Sequence, residues 1–169
     1  MHRAMMFGLP LLFALSPASS LLAQDSVESA EEGEEHSNSV ELFLGGATET
    51  EGGASGWAIG LGYLRHISGD LKVAFVAEIA PGLEREWLLL APLYVQPVGG
   101  LLVGMGPGID SRLETHGDEE ERTLYLAVRF SAAWEFEIGH RFLVTPEVNM
   151  DVVDGSGTWV YGVAFGVAF

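Results

Sequence analysis

The chain contains no cysteine. This excludes a disulfide framework, a thiolate metal site and the lipid-bearing cysteine of a lipoprotein anchor. Basic residues are scarce, with Lys plus Arg at 8 against 24 Asp plus Glu, for a formal charge of −16. Such a chain has little with which to neutralise phosphates, so nucleic acid is excluded as a partner. Beyond the N-terminal region, no segment reaches the roughly 18 unbroken apolar residues that a membrane-spanning helix requires. Catalytic signatures are missing too. There is no Gly-x-Ser-x-Gly elbow and no His-Glu-x-x-His helix. The run Gly104-Met-Gly106-Pro-Gly108 lacks the lysine and the following helix of a phosphate loop. No cofactor and no metal site is expected, and no enzyme activity.

What the chain does have is apolar side chains and glycine. Hydrophobic residues make up 48% of its 169 residues and glycines number 22, too apolar for a disordered protein. Its length allows one domain or one small barrel. The N-terminus has the layout of a secretory signal peptide. His2 and Arg3 are followed by a short apolar run from Met5 to Leu15 and by small residues up to Ala23. Residues 1–23 are expected to be removed, with cleavage after Ala23, or alternatively after Ser20. Residues 24–39 form a low-complexity acidic stretch that buries nothing and is expected to be disordered.

From Val40 onward, strand-like runs are separated by turn signals. The last is the clearest. From Thr158 to Phe169, Trp159, Tyr161, Val163, Phe165, Val167 and Phe169 alternate with Thr158, Val160, Gly162, Ala164, Gly166 and Ala168. In a strand, these two sets point to opposite faces. The same alternation runs through Ser39–Thr48, Gly56–Ile67, Leu71–Ala80, Gly100–Asp110, Arg122–Ile138 and Arg141–Val152. The stretch Glu86–Gln96 is apolar on both faces and shows no parity. Pro92, Pro107 and Pro146 fall inside these runs, where each removes a ladder donor, and a break at Pro92 would alter the count of eight strands.

The connections alternate between longer and shorter, with Ser111–Glu121 long and acidic and Gly139–His140 tight. Short periplasmic turns and longer outer loops mark outer-membrane barrels. The polar faces also carry both signs of charge. Lys72, Arg129 and Arg141 share their parity with Glu41, Glu78, Glu135, Glu147 and Asp151. An eight-stranded barrel has room for side chains but not for a wide channel, so these eight residues are expected to form a paired charge network in the lumen. His116, with Asp110, Glu114 and Asp118–Glu121, could offer oxygen ligands to a divalent cation bridging lipopolysaccharide, although a solvated loop explains the same residues.

Together, the leader, the eight alternating runs and the terminal aromatic resemble the small eight-stranded outer-membrane β-barrel proteins of Gram-negative bacteria. More narrowly, the segment from Tyr125 to Phe169 resembles poorly characterised members of that group. The resemblance implies an all-β, antiparallel up-and-down transmembrane barrel over residues 40–169, located in the outer membrane. It implies contact with outer-membrane lipid and lipopolysaccharide, a monomeric state, and recognition by the barrel assembly machinery through Tyr161, Phe165 and Phe169. The expected role is structural or interactive. The alternatives are a small-solute channel or transporter, a lipid-modifying enzyme of the outer membrane, and a secreted soluble lipid-binding barrel.

Overall fold

A computed structural model describes residues 37–83, 85–116 and 119–169, without the side chains at 85–86, 114–116 and 119–120. The expected leader and all but the last residues of the acidic segment lie outside this range. Ten strands follow one another: β1 (Asn38–Glu49), β2 (Ser55–Ser68), β3 (Leu71–Ile79), β4 (Arg85–Leu90), β5 (Leu93–Val98), β6 (Leu101–His116), β7 (Glu119–Trp134), β8 (Phe136–Ile138), β9 (Phe142–Val153) and β10 (Ser156–Ala168). The first begins at Asn38, slightly ahead of the boundary expected at residue 40.

Every named pairing is antiparallel, and the sheet closes on itself. β10 pairs with β9 on one side and with β1 on the other, where Leu42 faces Phe165 and Leu44 faces Val163. Closure leaves no edge of unpaired backbone groups.

The ten segments make eight staves. β4 and β5 are one stave interrupted at Ala91–Pro92. On the β6 side Leu90 faces Gly108 and Leu93 faces Met105, which is one continuous register. The β3 side agrees, with Val76 facing Leu90 and Val73 facing Leu93. Across the gap the Ala91 N–H donates to the Pro107 carbonyl and the Ala74 N–H donates to the Pro92 carbonyl, both at 2.9 Å. Pro92 therefore costs its own missing donor and nothing more, and the break does not alter the count of staves. β7 and β8 are likewise continuous through Glu135, whose N–H donates to the Gly100 carbonyl at 2.7 Å. Pro107 and Pro146 stay in register with Val128 and Val163 and face outward.

The alternation read from the sequence is the alternation of the barrel. Leu42, Leu61, Phe75, Met105, Phe130, Phe142 and Phe165 stand exposed on the outer wall, while Phe43, Ala58, Ala74, Leu102, Ala127 and Ala164 are buried inside. Trp57 and Trp159 sit outward near one end, and Trp134 and Phe136 near the end that holds the N-terminus of β1. Glycine thins the inner wall where a ring must fit. A β-carbon at Gly104 would run into the Tyr94 ring, and one at Gly162 into the Phe43 ring.

One connection departs from expectation. Residues 111–121 are not a loop throughout. β6 and β7 remain paired from Leu101–Trp134 up to His116–Glu119, so that this hairpin is the longest in the barrel. Arg112 and Leu113 continue the in-and-out alternation of β6, which extends the strand past Asp110.

Exposed apolar side chains at this density suit hydrocarbon, not water. Leu61, mid-strand on the outer wall and 57% exposed, separates the two environments. Leu61→Arg is expected to destabilise the protein by about 2–4 kcal/mol in lipid bilayers, whereas on a water-exposed surface the same change would stay within about 0.5 kcal/mol. Urea titration of folding into vesicles measures the difference.

Candidate functional site

Among the described residues, oppositely charged side chains meet in the interior. Inward positions of a strand recur every second residue, so each charge there comes from a residue sharing the parity of the small lumen-facing side chains. Arg129 of β7 is the centre. It lies directly across the strand pair from Asp151 of β9. Its Nε donates to Asp151 Oδ1 at 2.6 Å and its Nη2 to Oδ2 at 2.8 Å, a two-pronged arrangement. Its Nη1 reaches Glu78 Oε2 at 3.0 Å. Glu78 belongs to β3, which is not a neighbour of β7 in the sheet, so the guanidinium ties two opposite walls together across the lumen. All three side chains are almost fully buried.

A second strut repeats the crossing nearer the end that holds Asn38. Lys72 Nζ of β3 donates to Glu135 Oε1 at 2.9 Å, and Glu135 lies between β7 and β8. Toward the other end, the Arg112 Nε donates to Asp110 Oδ2 at 3.2 Å, while the guanidinium stacks over Tyr125 at 5.6 Å. Beside these charges lie apolar clusters. Phe43, Ala47, Ala58, Val160 and Ala164 form one cluster. Leu64, Ala74, Tyr94, Leu102 and Ala133 form another. Leu88, Leu90, Ala127 and Val153 form the third. The lumen thus mixes apolar and charged groups, with Leu88 facing Glu78 on one neighbouring strand and Asp110 on the other, and is less uniformly charged than the sequence suggests.

Of the eight network residues expected from sequence, five are joined in the two struts: Glu78, Arg129 and Asp151, with Lys72 and Glu135. Glu41 and Glu147 line one small inner cavity, and Ser39 donates its hydroxyl to Glu41 at 3.0 Å. Arg141 requires correction. It lies in the turn before β9 and is exposed, because the tight reversal after Ile138 leaves it outside the strand and at the rim. Asp110 also requires correction. Expected among the acidic loop residues, it is a buried lumen residue paired with Arg112. The signal was present in the sequence, since 110 and 112 continue the even parity of Gly104, Gly106 and Gly108. Ser131 and Thr145, which share the inward parity of Arg129 and Glu147, are also buried in the lumen, as is Tyr94, for which the sequence offered no parity. Tyr94 sits on the stave whose two faces are equally apolar. The side chains of Glu114, His116, Glu119 and Glu120, and all of Asp118, lie outside the described residues.

Tyr161, Phe165 and Phe169 all stand on the outer wall, at 52%, 51% and 56% exposure. The end of the barrel that holds Asn38 opens into a cavity of about 490 Å³, lined by Asn38, His66, Lys72, Gln96, Glu135 and Glu137 among others. Among the described residues, no three His, Cys, Asp or Glu side chains are grouped as a metal cluster would need.

No protein-family model and no curated protein matches the sequence. Solved structures do. The N-terminal β-barrel domain of Pseudomonas aeruginosa OprF matches with a TM-score of 0.62 at 17% identity, over 79% of this chain and 98% of that one. Ail, the attachment invasion locus protein of Yersinia pestis, solved in complex with the heparin analogue sucrose octasulfate, matches with a TM-score of 0.58 at 13% identity, over 78% and 97%. Neisserial surface protein A matches with a TM-score of 0.58 at 9% identity, over 78% and 96%. At these identities the likeness is one of fold. The chain has the closed eight-stranded fold of the outer-membrane β-barrels, with the transmembrane strands and apolar outer wall that go with it.

The central strut has a measurable consequence. Removing one partner of a buried ion pair strands the others without compensation, at a cost of about 3–5 kcal/mol. Arg129→Met is therefore expected to lower the unfolding free energy by about that much, since Glu78 and Asp151 both lose the guanidinium that joins them. Adding Glu78→Gln and Asp151→Asn to the same chain should recover a substantial part. Equilibrium unfolding in detergent compares the three proteins.

Proposed function

We propose that the chain is an integral protein of the outer membrane with a structural or interactive role and no catalysis. The observation that carries this reading is the cross-lumen strut of Arg129, Glu78 and Asp151. An eight-stranded barrel is only just wide enough for its own side chains. A buried, two-pronged guanidinium across that width is suited to bracing the wall. The work of such a protein falls to its outer surface: the lipid-facing belt, and the connections that meet lipopolysaccharide, ions or partner molecules. Tyr161, Phe165 and Phe169, on that same outer wall, suit recognition by the assembly machinery during insertion. A monomer fits a barrel that needs no second copy to close.

A small-solute channel is the second reading, favoured by the open cavity beside Lys72 and Glu135. The Lys72–Glu135 pair and the deeper Arg129 strut stand in the way of through-passage. An enzyme would need an activated nucleophile beside a base and an accessible substrate site, and no observation among the described residues favours that reading. A soluble lipid carrier would turn its apolar side chains inward, opposite to this wall. Ail was solved with a polyanion. The end of this barrel away from Asn38 carries Glu49, Glu51, Glu121 and Asp154, whose charge suits a cation-bridged or basic partner instead.

Planar-bilayer recording separates the two readings. The purified barrel is expected to leave the bilayer silent. Reproducible conductance steps that disappear when the protein is heat-denatured would establish the channel and overturn the structural reading.

A further inference from the structure

We propose that Glu41 and Glu147, with the hydroxyl of Thr145, hold a divalent cation of the calcium type inside the lumen. The argument begins with charge. Lys72 is taken by Glu135, Arg112 by Asp110, and Arg129 by Glu78 and Asp151 together. Among the described residues Glu41 and Glu147 have no ion pair, yet both line the same inner cavity. Two carboxylates in a confined, poorly solvated space repel each other and forfeit hydration, and a counter-charge removes both costs.

A second observation is independent of charge. Thr145 lines the same cavity, is only 3% exposed, and its hydroxyl has no hydrogen-bond partner. Buried hydroxyls normally have one. An oxygen-seeking ligand in the cavity accounts at once for the unpaired hydroxyl and for two carboxylates without an ion pair.

The chemistry narrows the ligand. Carboxylate and hydroxyl oxygens are hard donors and prefer calcium-like cations to softer metals. Two carboxylates balance one divalent charge. The cavity is about 50 Å³, room for an ion and a few waters at about 10–15 Å³ per water. Leu64 lines both this cavity and the larger one at the mouth, so the two are neighbours. With only two charged ligands, the affinity belongs near the weak end for oxygen sites, with Kd of roughly 10⁻⁴–10⁻³ M.

The test uses the mature barrel folded in detergent, stripped with a chelator and titrated with calcium chloride against choline chloride at matched ionic strength. Calcium is expected to raise Tm by a few degrees in a saturable way, and choline is not. Glu147→Gln and Thr145→Val should each lose most of that response. The triple variant Glu119→Gln/Glu120→Gln/Glu121→Gln, on the outer hairpin, should keep it. Terbium luminescence excited through Tyr94, which lines the cavity, gives a second readout that does not depend on stability. It should be displaced by calcium in the wild type and weak in Thr145→Val. A calcium response that survives in both cavity variants, or one that vanishes in the outer-hairpin variant, overturns the proposal. So does a wild type that ignores calcium and is instead stabilised by acidification in chelator, because the carboxylates then share a proton.

Discussion

Hydrocarbon offers no hydrogen bonds, and every other feature of this barrel descends from that constraint. A strand in lipid must satisfy each backbone N–H and C=O through a neighbour, so the sheet has to close. Closure comes from β10 lying between β9 and β1. Once the sheet is closed, the two faces of every strand acquire different solvents, acyl chains outside and a narrow interior inside. The two-residue alternation of the sequence is the imprint of that division. Even the prolines conform. Pro107 and Pro146 face outward in unbroken register, and Pro92 interrupts a stave whose flanking hydrogen bonds are kept.

A narrow interior in turn limits what its side chains can be. A large ring needs a glycine beside it, as Tyr94 has Gly104 and Phe43 has Gly162. A charge needs an opposite charge within reach. Arg129 meets this need by pairing with a cross-strand neighbour and with the far wall. Lys72 and Glu135 repeat the crossing from the same two staves. Such pairs need not add net stability over apolar packing, since desolvation offsets much of their attraction. Their effect is to fix which walls face each other. The apolar clusters beside them supply burial, and the ion pairs link wall to wall across the lumen.

These constraints also explain what could be read in the sequence. β7 and β10 were legible in nearly full length because bulky and small or polar residues alternate over long stretches, with Ala132 and Val160 as exceptions. The stave of β4 and β5 was not, since Leu88 and Leu90 inside are as apolar as Leu89 and Leu93 outside. Parity there is set by the neighbouring staves. The β6–β7 hairpin was read as a loop because its charged residues mimic a solvated turn, while the pairing that extends it is a property of two strands together. At the site, parity placed Glu78, Arg129 and Asp151 on the inner wall. It could not choose partners, because which residues meet across the lumen depends on strand stagger and closure. Arg141 failed for a local reason, as it sits in a tight reversal where the strand's alternation no longer applies.

The most direct measurement is residue-by-residue lipid access along β10, and the absence of native cysteine makes it clean. Single cysteines at positions 160 to 167, carrying a fluorophore, would be exposed to brominated lipid in vesicles. Strong quenching at 161, 163, 165 and 167, with weak quenching at the four positions between them, is the expected pattern. Quenching that is uniform along the strand, or strongest at 160, 162, 164 and 166, would contradict an apolar wall facing the bilayer.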